Sequence, residues 1–306
     1  MLAAAARQRT RGYHRPMEFG AHLKTAGGAY KAAERAGAIG ADALQIFTQS
    51  PRMWRHPDVD PDAAERFRAA RREHGIGTVT CHATYLINLG ATDDSVYSKS
   101  VEALRKTMLM AQAYEADGVV FHLGSHLGRG LDAALHQVIP ALQIALGEGR
   151  KRSKTRLVIE NSAGAGNTMG LTLEDIGRVI DELGRPKRIG VCLDTCHLWA
   201  TGIDIRDPAC VDELVGELDE RIGLDRLVCL HVNDAALPLG ARRDVHADPG
   251  DGLIGRKLSV ILGHPKLQHA AQITESPGPG PEGPDKTTIA ALRRLQRAGV
   301  RRHARA

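Results

Sequence analysis

The sequence predicts an α/β protein of one domain, a TIM (β/α)8 barrel with a metal cluster at its C-terminal face. Three observations carry that expectation. Eight short apolar runs alternate with longer helical patterns from about residue 17 onward, which is the rhythm of a parallel sheet with covering helices. The chain has 306 residues, 42% of them hydrophobic, enough for one large core of barrel size. The polar residues that close the apolar runs are nearly all of metal-binding type.

The runs read as strands are MEFGAHL (17–23), ALQIFT (43–48), GTVTCH (77–82), GVVFH (118–122), RLVIE (156–160), RIGVCLD (188–194), RLVCLHV (226–232) and AQITE (271–275). Helices are expected near 28–38, 61–74, 95–117, 131–147, 172–183, 209–221, 255–263 and 285–299. The fifth opens with Thr172 ahead of Glu174 and Asp175, a capped first turn. Two connections stand out. PGPGPEGP (277–284) lacks donors at its prolines and is a rigid loop. Residues 234–252 form a long loop after the seventh strand, and long loops inside compact domains tend to be functional.

The formal charge is +5, with 25% charged residues, so neither a disordered nor a fibrous chain fits. No run approaches the roughly 18 apolar residues of a membrane span. Residues 1–17 and 290–306 carry ten arginines and no acid, which leaves 31 basic against 36 acidic residues between them. An acidic body with basic ends binds polyanions through that body only if cations there reverse its sign. Residues 1–17 read as a disordered basic arm or a misplaced start, 18–299 as the barrel domain, and 300–306 as a basic tail. The five cysteines form no CxxC pair and read as small buried hydrophobes in a reducing cytoplasm.

Barrel enzymes build their sites at the C-terminal ends of the strands. Those ends hold His22, Thr48, His82, His122, Glu160, Asp194, His231 and Glu275. His197 follows Asp194 by three residues, and Asp244 and His246 lie two apart in the long loop. A lone histidine at a strand end is more often an ordinary hydrogen-bonded residue than a ligand. Converging on one mouth, however, buried carboxylates without a strand-end Lys or Arg repel one another unless they are neutralised. Imidazoles mixed with carboxylates suit Zn²⁺, Mn²⁺ or Fe²⁺. Nine candidate ligands, namely His82, His122, Glu160, Asp194, His197, His231, Asp244, His246 and Glu275, are too many for one ion. Two or three ions sharing carboxylates point to in-line displacement at phosphorus.

In this respect the sequence resembles the endonuclease IV family of apurinic/apyrimidinic (AP) site nucleases. The resemblance spans residues 18 to about 297 and rests on GAHLKTAGG (20–28), FTQSPRMW (47–54), CHATYLINLG (81–90), FHLGSH (121–126), VIENSAGAGNTMG (158–170), GVCLDTCHLWATGID (190–204), HVND (231–234), DVH (244–246) and ITES (273–276). It implies a zinc-dependent endonuclease of base excision repair that cuts 5′ to an abasic site, leaving 3′-hydroxyl and 5′-deoxyribose phosphate ends, with 3′-end phosphodiesterase activity beside it. It implies three Zn²⁺ per chain, with Mn²⁺ or Fe²⁺ as substitutes. One ion would sit on His82, His122 and Glu160, a second on Glu160, Asp194, His231 and Glu275, and a third on His197, Asp244 and His246. Glu160 and Glu275 would be the catalytic carboxylates. Three dications would also turn the acidic body slightly positive, so that it can approach phosphates.

The resemblance further implies damaged double-stranded DNA as partner, with Arg52, Tyr85 and Leu86 entering the duplex at the lesion. A flat ring and an apolar wedge can fill the gap left by an extruded nucleotide. His22 and Asn233 are expected behind the ligands or facing DNA. A monomer acting in the cytoplasm, at the nucleoid, follows from the family. The chain departs from the family at Leu123, where many relatives have proline. It also lacks the lysine that often follows HxND, carrying Ala235 and Ala236, with Arg242 or Arg243 in place to compensate. The rival readings are a metal-dependent sugar isomerase or epimerase of the same barrel type, which needs neither DVH nor the wedge residues, and a non-catalytic lesion-binding protein.

Overall fold

The computed structural model describes residues 17–148 and 153–305. The basic arm expected over 1–17 therefore lies, Met17 apart, outside the described residues. In chain order the elements begin with β1 (Phe19–His22), α1 (Ala29–Ala38), β2 (Ala43–Phe47), α2 (Pro61–Glu73), β3 (Thr78–His82), α3 (Asp94–Ala113), β4 (Gly118–Phe121) and α4 (Leu131–Gly147). They continue with β5 (Arg156–Glu160), α5 (Leu173–Glu182), β6 (Ile189–Asp194), α6 (Thr195–Ala200), α7 (Pro208–Arg221) and β7 (Leu227–His231). The chain closes with β8 (Asp234–Ala235), β9 (His246–Ala247), α8 (Ser259–Leu262), β10 (Ala271–Thr274) and α9 (Lys286–His303).

Eight parallel strands close into a barrel in the order β1-β10-β7-β6-β5-β4-β3-β2, as the alternation of apolar runs and helical patterns predicts. No described helix is long and apolar enough to cross a membrane.

The helix starts follow from their capping residues. Asp60 accepts from the Asp62 and Ala63 N–H groups ahead of Pro61, Asp207 caps α7 ahead of Pro208, and Thr172 accepts from Asp175 N. Each satisfies donors that have no intrahelical partner. Asp285 and Thr288 form a reciprocal capping box at the start of α9.

Apolar side chains form two layers. A large outer core joins helices to strands, while Ala43, Val120, Val158, Cys192, Cys229, Ala271 and Ile273 fill the barrel lumen. Four of the cysteines are buried, whereas Cys210 is half-buried.

The structure corrects four expected boundaries. The helix expected near 95–117 ends at Ala113, because Glu115 turns left-handed (φ 55°) and the Ala116 N–H returns to Ala111 O. The helix expected over 255–263 is a tight turn at Gly255–Leu258 followed by the four residues of α8. The last helix runs through His303, so residues 300–303 of the expected tail are helical. Gly299 allows this, because a Cβ there would collide with Ser259 O; α8 and α9 thus meet backbone to backbone. Finally, the long loop after β7 contains the two-stranded ribbon β8–β9, pairing Asp234 with Ala247 and Ala235 with His246. Both short elements, α6 and this ribbon, sit at the barrel mouth and are too brief for sequence periodicity to show.

Candidate metal centre

Strand register brings the polar residues together. Asp194 pairs with His231 across β6 and β7, and Phe47 with His82 across β2 and β3. Above the lumen layer these strand ends converge on Glu160, whose side chain is fully buried. Its Oε2 lies 3.2 Å from His82 Nε2 and 3.4 Å from His122 Nε2. Its Oε1 lies 2.9 Å from His231 Nδ1 and 3.5 Å from His197 Nδ1. One carboxylate thus faces four imidazoles.

The structure gathers these residues into overlapping groups whose ligand-type atoms lie within 4.8 Å of one another: His82, His122 and Glu160; Glu160, Asp194, His231 and Glu275; and Asp194, His197 and His246. Asp244 joins from the ribbon, 2.8 Å from His246 Nε2 and 3.3 Å from His197 Nε2. It also groups with His246 and Cys196, a thiol that the sequence reading treats only as an apolar residue. Unlike the other eight, Asp244 is exposed, because its loop forms the rim.

Behind these atoms lies a layer of hydrogen bonds. The Asn233 amide donates to Asp194 Oδ2 over 2.6 Å and accepts from the Glu275 N–H over 2.7 Å. Asp194 uses its other oxygen to cap α6 at His197 N, 2.9 Å away. His22 Nδ1 lies 2.8 Å from Glu275 Oε1 with its ring against Phe47, so it props a carboxylate from behind.

Two residues of this layer escape sequence reading. Gln45, fully buried, donates to Glu275 over 2.6 Å and places its oxygen 3.0 Å from His231 Nε2. Asn161 accepts from Asp194 N and, through its carbonyl, meets His197 Nδ1. The available signal for Gln45 is a lone amide inside the apolar run ALQIFT.

The long loop is fastened from below. The buried Asp234 carboxylate accepts from the N–H groups of Ala235, Gly250, Ile254 and Gly255. Asp248 in turn accepts from Gly278 N, and Lys24 Nζ donates to Pro281 O, so the loops after β1, β7 and β10 are tied to one another.

These groups share protons rather than all standing ionised. Burial alone would raise the Glu160 carboxyl, but His231 and His122 hold it well below the ordinary range. Glu275 is likewise held low, against its burial, by His231 and the His22 hydrogen bond. Burial opposes protonation of His197 and His246, yet Asp194 and Asp244 raise them to about 10 and about 9. His231 and His82 are also raised, their carboxylate neighbours outweighing burial. Burial dominates at His122, pushing it down to about 4, and at Asp194, pushing it up.

A donor set of imidazole nitrogens and carboxylate oxygens suits a borderline divalent cation. Buried His122 Nδ1 and His197 Nε2 have no hydrogen-bond partner among the described residues, which is where a cation or ordered water fits. The residues present therefore fit a metal cluster at this end of the barrel.

The residues expected to contact DNA rim the same mouth. Tyr85 is 58% exposed, although Phe47 and His82 meet its ring edge-on at 5.3 and 5.7 Å. Arg52 is exposed, Leu86 half-buried, and Met53, which the sequence reading passes over, is 54% exposed. The loops after β2 and β3 are joined by Tyr85 N and Thr84 Oγ1, both donating to Pro51 O. Between them and the site lies a hollow of about 440 Å³ lined by His22, Lys24, Phe47, Tyr85 and Glu275 among others. Ala235 is buried in the ribbon while Ala236 is exposed, as are Arg242 and Arg243.

The chain is similar to known proteins over most of its length. The family described as a xylose isomerase-like TIM barrel matches residues 33–298. A protein named probable endonuclease 4 from Halorhodospira halophila is 39% identical over 267 residues, covering 87% of this chain and 90% of its own. Another of that name, from Halothermothrix orenii, is 37% identical over 279 residues and covers 91% and 100%. The crystal structure of endonuclease IV from Thermus thermophilus superposes with a TM-score of 0.78 at 34% identity, covering 93% of this chain and 99% of that one.

Proposed function

The chain belongs to the endonuclease IV family, and from that premise we propose a metal-dependent enzyme of base excision repair that hydrolyses the DNA phosphodiester 5′ to an abasic site. The products are a 3′-hydroxyl and a 5′-deoxyribose phosphate. As a member of that family it is a DNA-cleaving hydrolase of repair. The observation that carries the finer reading is Glu160, a fully buried carboxylate facing four imidazoles. No lysine or arginine side chain bonds to it among the described residues.

Three zinc ions are the proposed cofactors, with Mn²⁺ or Fe²⁺ able to substitute. His82, His122 and Glu160 would hold one; Glu160, Asp194, His231 and Glu275 a second; His197, Asp244 and His246 a third. When bound, such ions polarise the phosphodiester oxygens and lower the pKa of water. The chain's own residues do the rest. Asn233, Gln45 and His22 fix the directions in which Asp194 and Glu275 present their oxygens, since supporting hydrogen bonds orient ligands. Tyr85, Leu86 and Arg52 take the gap in the base stack. Unstacking costs least where a base is already missing, so lesions are selected without reading sequence.

A 3′ end blocked by a phosphodiester remnant offers the same P–O3′ bond with the same 3′-oxygen as leaving group and only a shorter substituent left on the phosphate, and we extend the proposal to 3′-end phosphodiesterase activity. The enzyme would act as a monomer, in the cytoplasm at the nucleoid.

The test uses zinc-loaded protein and a duplex bearing one tetrahydrofuran abasic analogue. A single cut 5′ to the analogue, abolished by chelation, is the expected result. Isomerisation or epimerisation of a free sugar without incision would establish the sugar-enzyme reading instead, and tight binding without incision the non-catalytic one. Asp244 and His246 closing on His197 favour the nuclease.

A further inference from the structure

Helix α9 carries a line of arginines that the candidate site does not use. Arg294, Arg297, Arg301 and Arg305 follow i, i+3, i+7 and i+11 spacing and all are exposed, with Arg302 beside them. That spacing puts Arg294, Arg297 and Arg301 on one helical face, opposite buried Leu292, Leu295 and Gly299, with Arg305 in the turn just past the helix end. No acid occurs anywhere in residues 286–305.

The other outer helices treat arginine differently. Arg68 pairs with Glu65, Arg105 with Glu102, Arg185 with Asp181 and Arg221 with Glu217. Even on α9, Arg293 on the flank bonds Asp42. Among the described residues the exposed line has no side-chain hydrogen bond or ion pair. Cations in the last turn favour the helix dipole, which accounts for Arg301 and Arg302. It does not account for Arg294 and Arg297, which sit mid-helix and repel their neighbours.

The line borders a groove. Arg256 on the turn before α8 faces Arg294 across a hollow of about 420 Å³ floored by Ala291, Leu295 and Ala298, with Asp251 the one acid on its wall. Past Ala298 the groove continues between Arg301, Arg302 and Arg305. Small side chains between cationic walls let a phosphate backbone approach closely. From Arg294 to Arg301 the helix rises roughly 10 Å, about three base pairs at 3.4 Å each, and Arg305 extends the row just past the helix end at His303.

We infer that the exposed face of α9, with Arg256, is a second binding surface for the phosphate backbone of duplex DNA, separate from the mouth. Arg293 bonds Asp42 and Gly40 O at the N-terminal end of β2, the end of the barrel opposite the mouth, so the part of α9 that follows it points away from the mouth. The surface therefore grips a different stretch of duplex and keeps the enzyme on DNA between lesions. This inference takes its ligand from the proposed function, but its test does not depend on incision.

The test compares zinc-loaded wild type with the variant Arg294→Gln/Arg297→Gln/Arg301→Gln/Arg305→Gln. Binding to an undamaged duplex of about 40 base pairs is followed by fluorescence anisotropy between roughly 50 and 200 mM salt. The variant is expected to bind at least about tenfold more weakly near 100 mM, with a log–log salt slope shallower by about 3. The matching Arg→Lys variant should restore both, and the Gln variant should keep its melting temperature and its incision of a 12-base-pair abasic duplex. An unchanged slope overturns the inference. So does loss of short-duplex incision in proportion to binding, which would make the line part of the mouth's own grip. A larger loss of binding to phosphatidylglycerol vesicles than to DNA would assign the face to membranes and also overturn it. If neither protein incises abasic DNA yet the slopes differ, the surface stands and the proposed function falls.

Discussion

Asn233 holds Asp194 with one end of its amide and the Glu275 backbone with the other, over 2.6 and 2.7 Å. One side chain, itself just past the end of β7, thereby ties the Asp194 carboxylate at the end of β6 to the backbone that carries Glu275 after β10, the two strands flanking β7, although it need touch no cation itself. Asn233→Ala is expected to lower metal affinity roughly 10–100-fold, the usual effect of removing such support. Chelator competition measures it, and an unchanged affinity would show that the amide serves only the fold.

Glu160→Gln removes the charge that four imidazoles surround. Incision should fall by at least about 10²-fold, the scale of a lost transition-state contact, and bound zinc should drop below the wild-type content. Elemental analysis and gel-based cleavage read the two effects separately. Retention of both would contradict the central placement of this residue.

Metal uptake should release protons. At pH 7, His197 and His246, raised to about 10 and about 9, carry protons in the metal-free protein, as does His231, raised well above the ordinary imidazole range by its carboxylate neighbours against its burial. Ligation requires neutral imidazoles, so zinc added to weakly buffered protein should acidify the solution by more than one proton per chain, and affinity should climb from pH 6 toward pH 9.

The same shift has a stability sign. A histidine raised on folding contributes fully below its unfolded pKa of about 6.5 and loses that contribution as pH climbs through the folded value. Metal-free protein should thus melt at progressively lower temperature between pH 7 and 10, whereas zinc-loaded protein should not. A flat profile for the metal-free form would remove the His197–Asp194 and His246–Asp244 pairs as its source.

Tyr85 is more than half exposed, so Tyr85→Ala should alter stability by no more than about 0.5 kcal/mol. Affinity for abasic duplex should nevertheless weaken roughly 5–100-fold, as expected for one lost stacking partner. Melting and anisotropy on the same preparation separate the outcomes; an equal fall in both would return Tyr85 to a packing role.

What the sequence discloses here follows from period. Strand ends are legible because apolar runs stop at a histidine or a carboxylate, and the barrel then brings those ends to one mouth. His22 closes the first run in the same way, but that it and Asn233 stand behind the ligands or face DNA is an expectation carried only by the family resemblance. Gln45 is not legible, since its importance arises from three partners on other strands, His22, His231 and Glu275, which no local pattern connects. The α6 turn and the β8–β9 ribbon are hidden by their brevity, and the C-terminal helix outruns its expected end because Gly299 lets α8 lie against it.

The Asp234 clasp has a consequence for reconstitution. Four backbone amides closing on one carboxylate shape the rim loop by bonds that involve no candidate ligand. Stripped protein should accordingly regain activity as fast as ions arrive and protons depart, with no slow refolding phase, and the emptied vessel should already have the form of the full one.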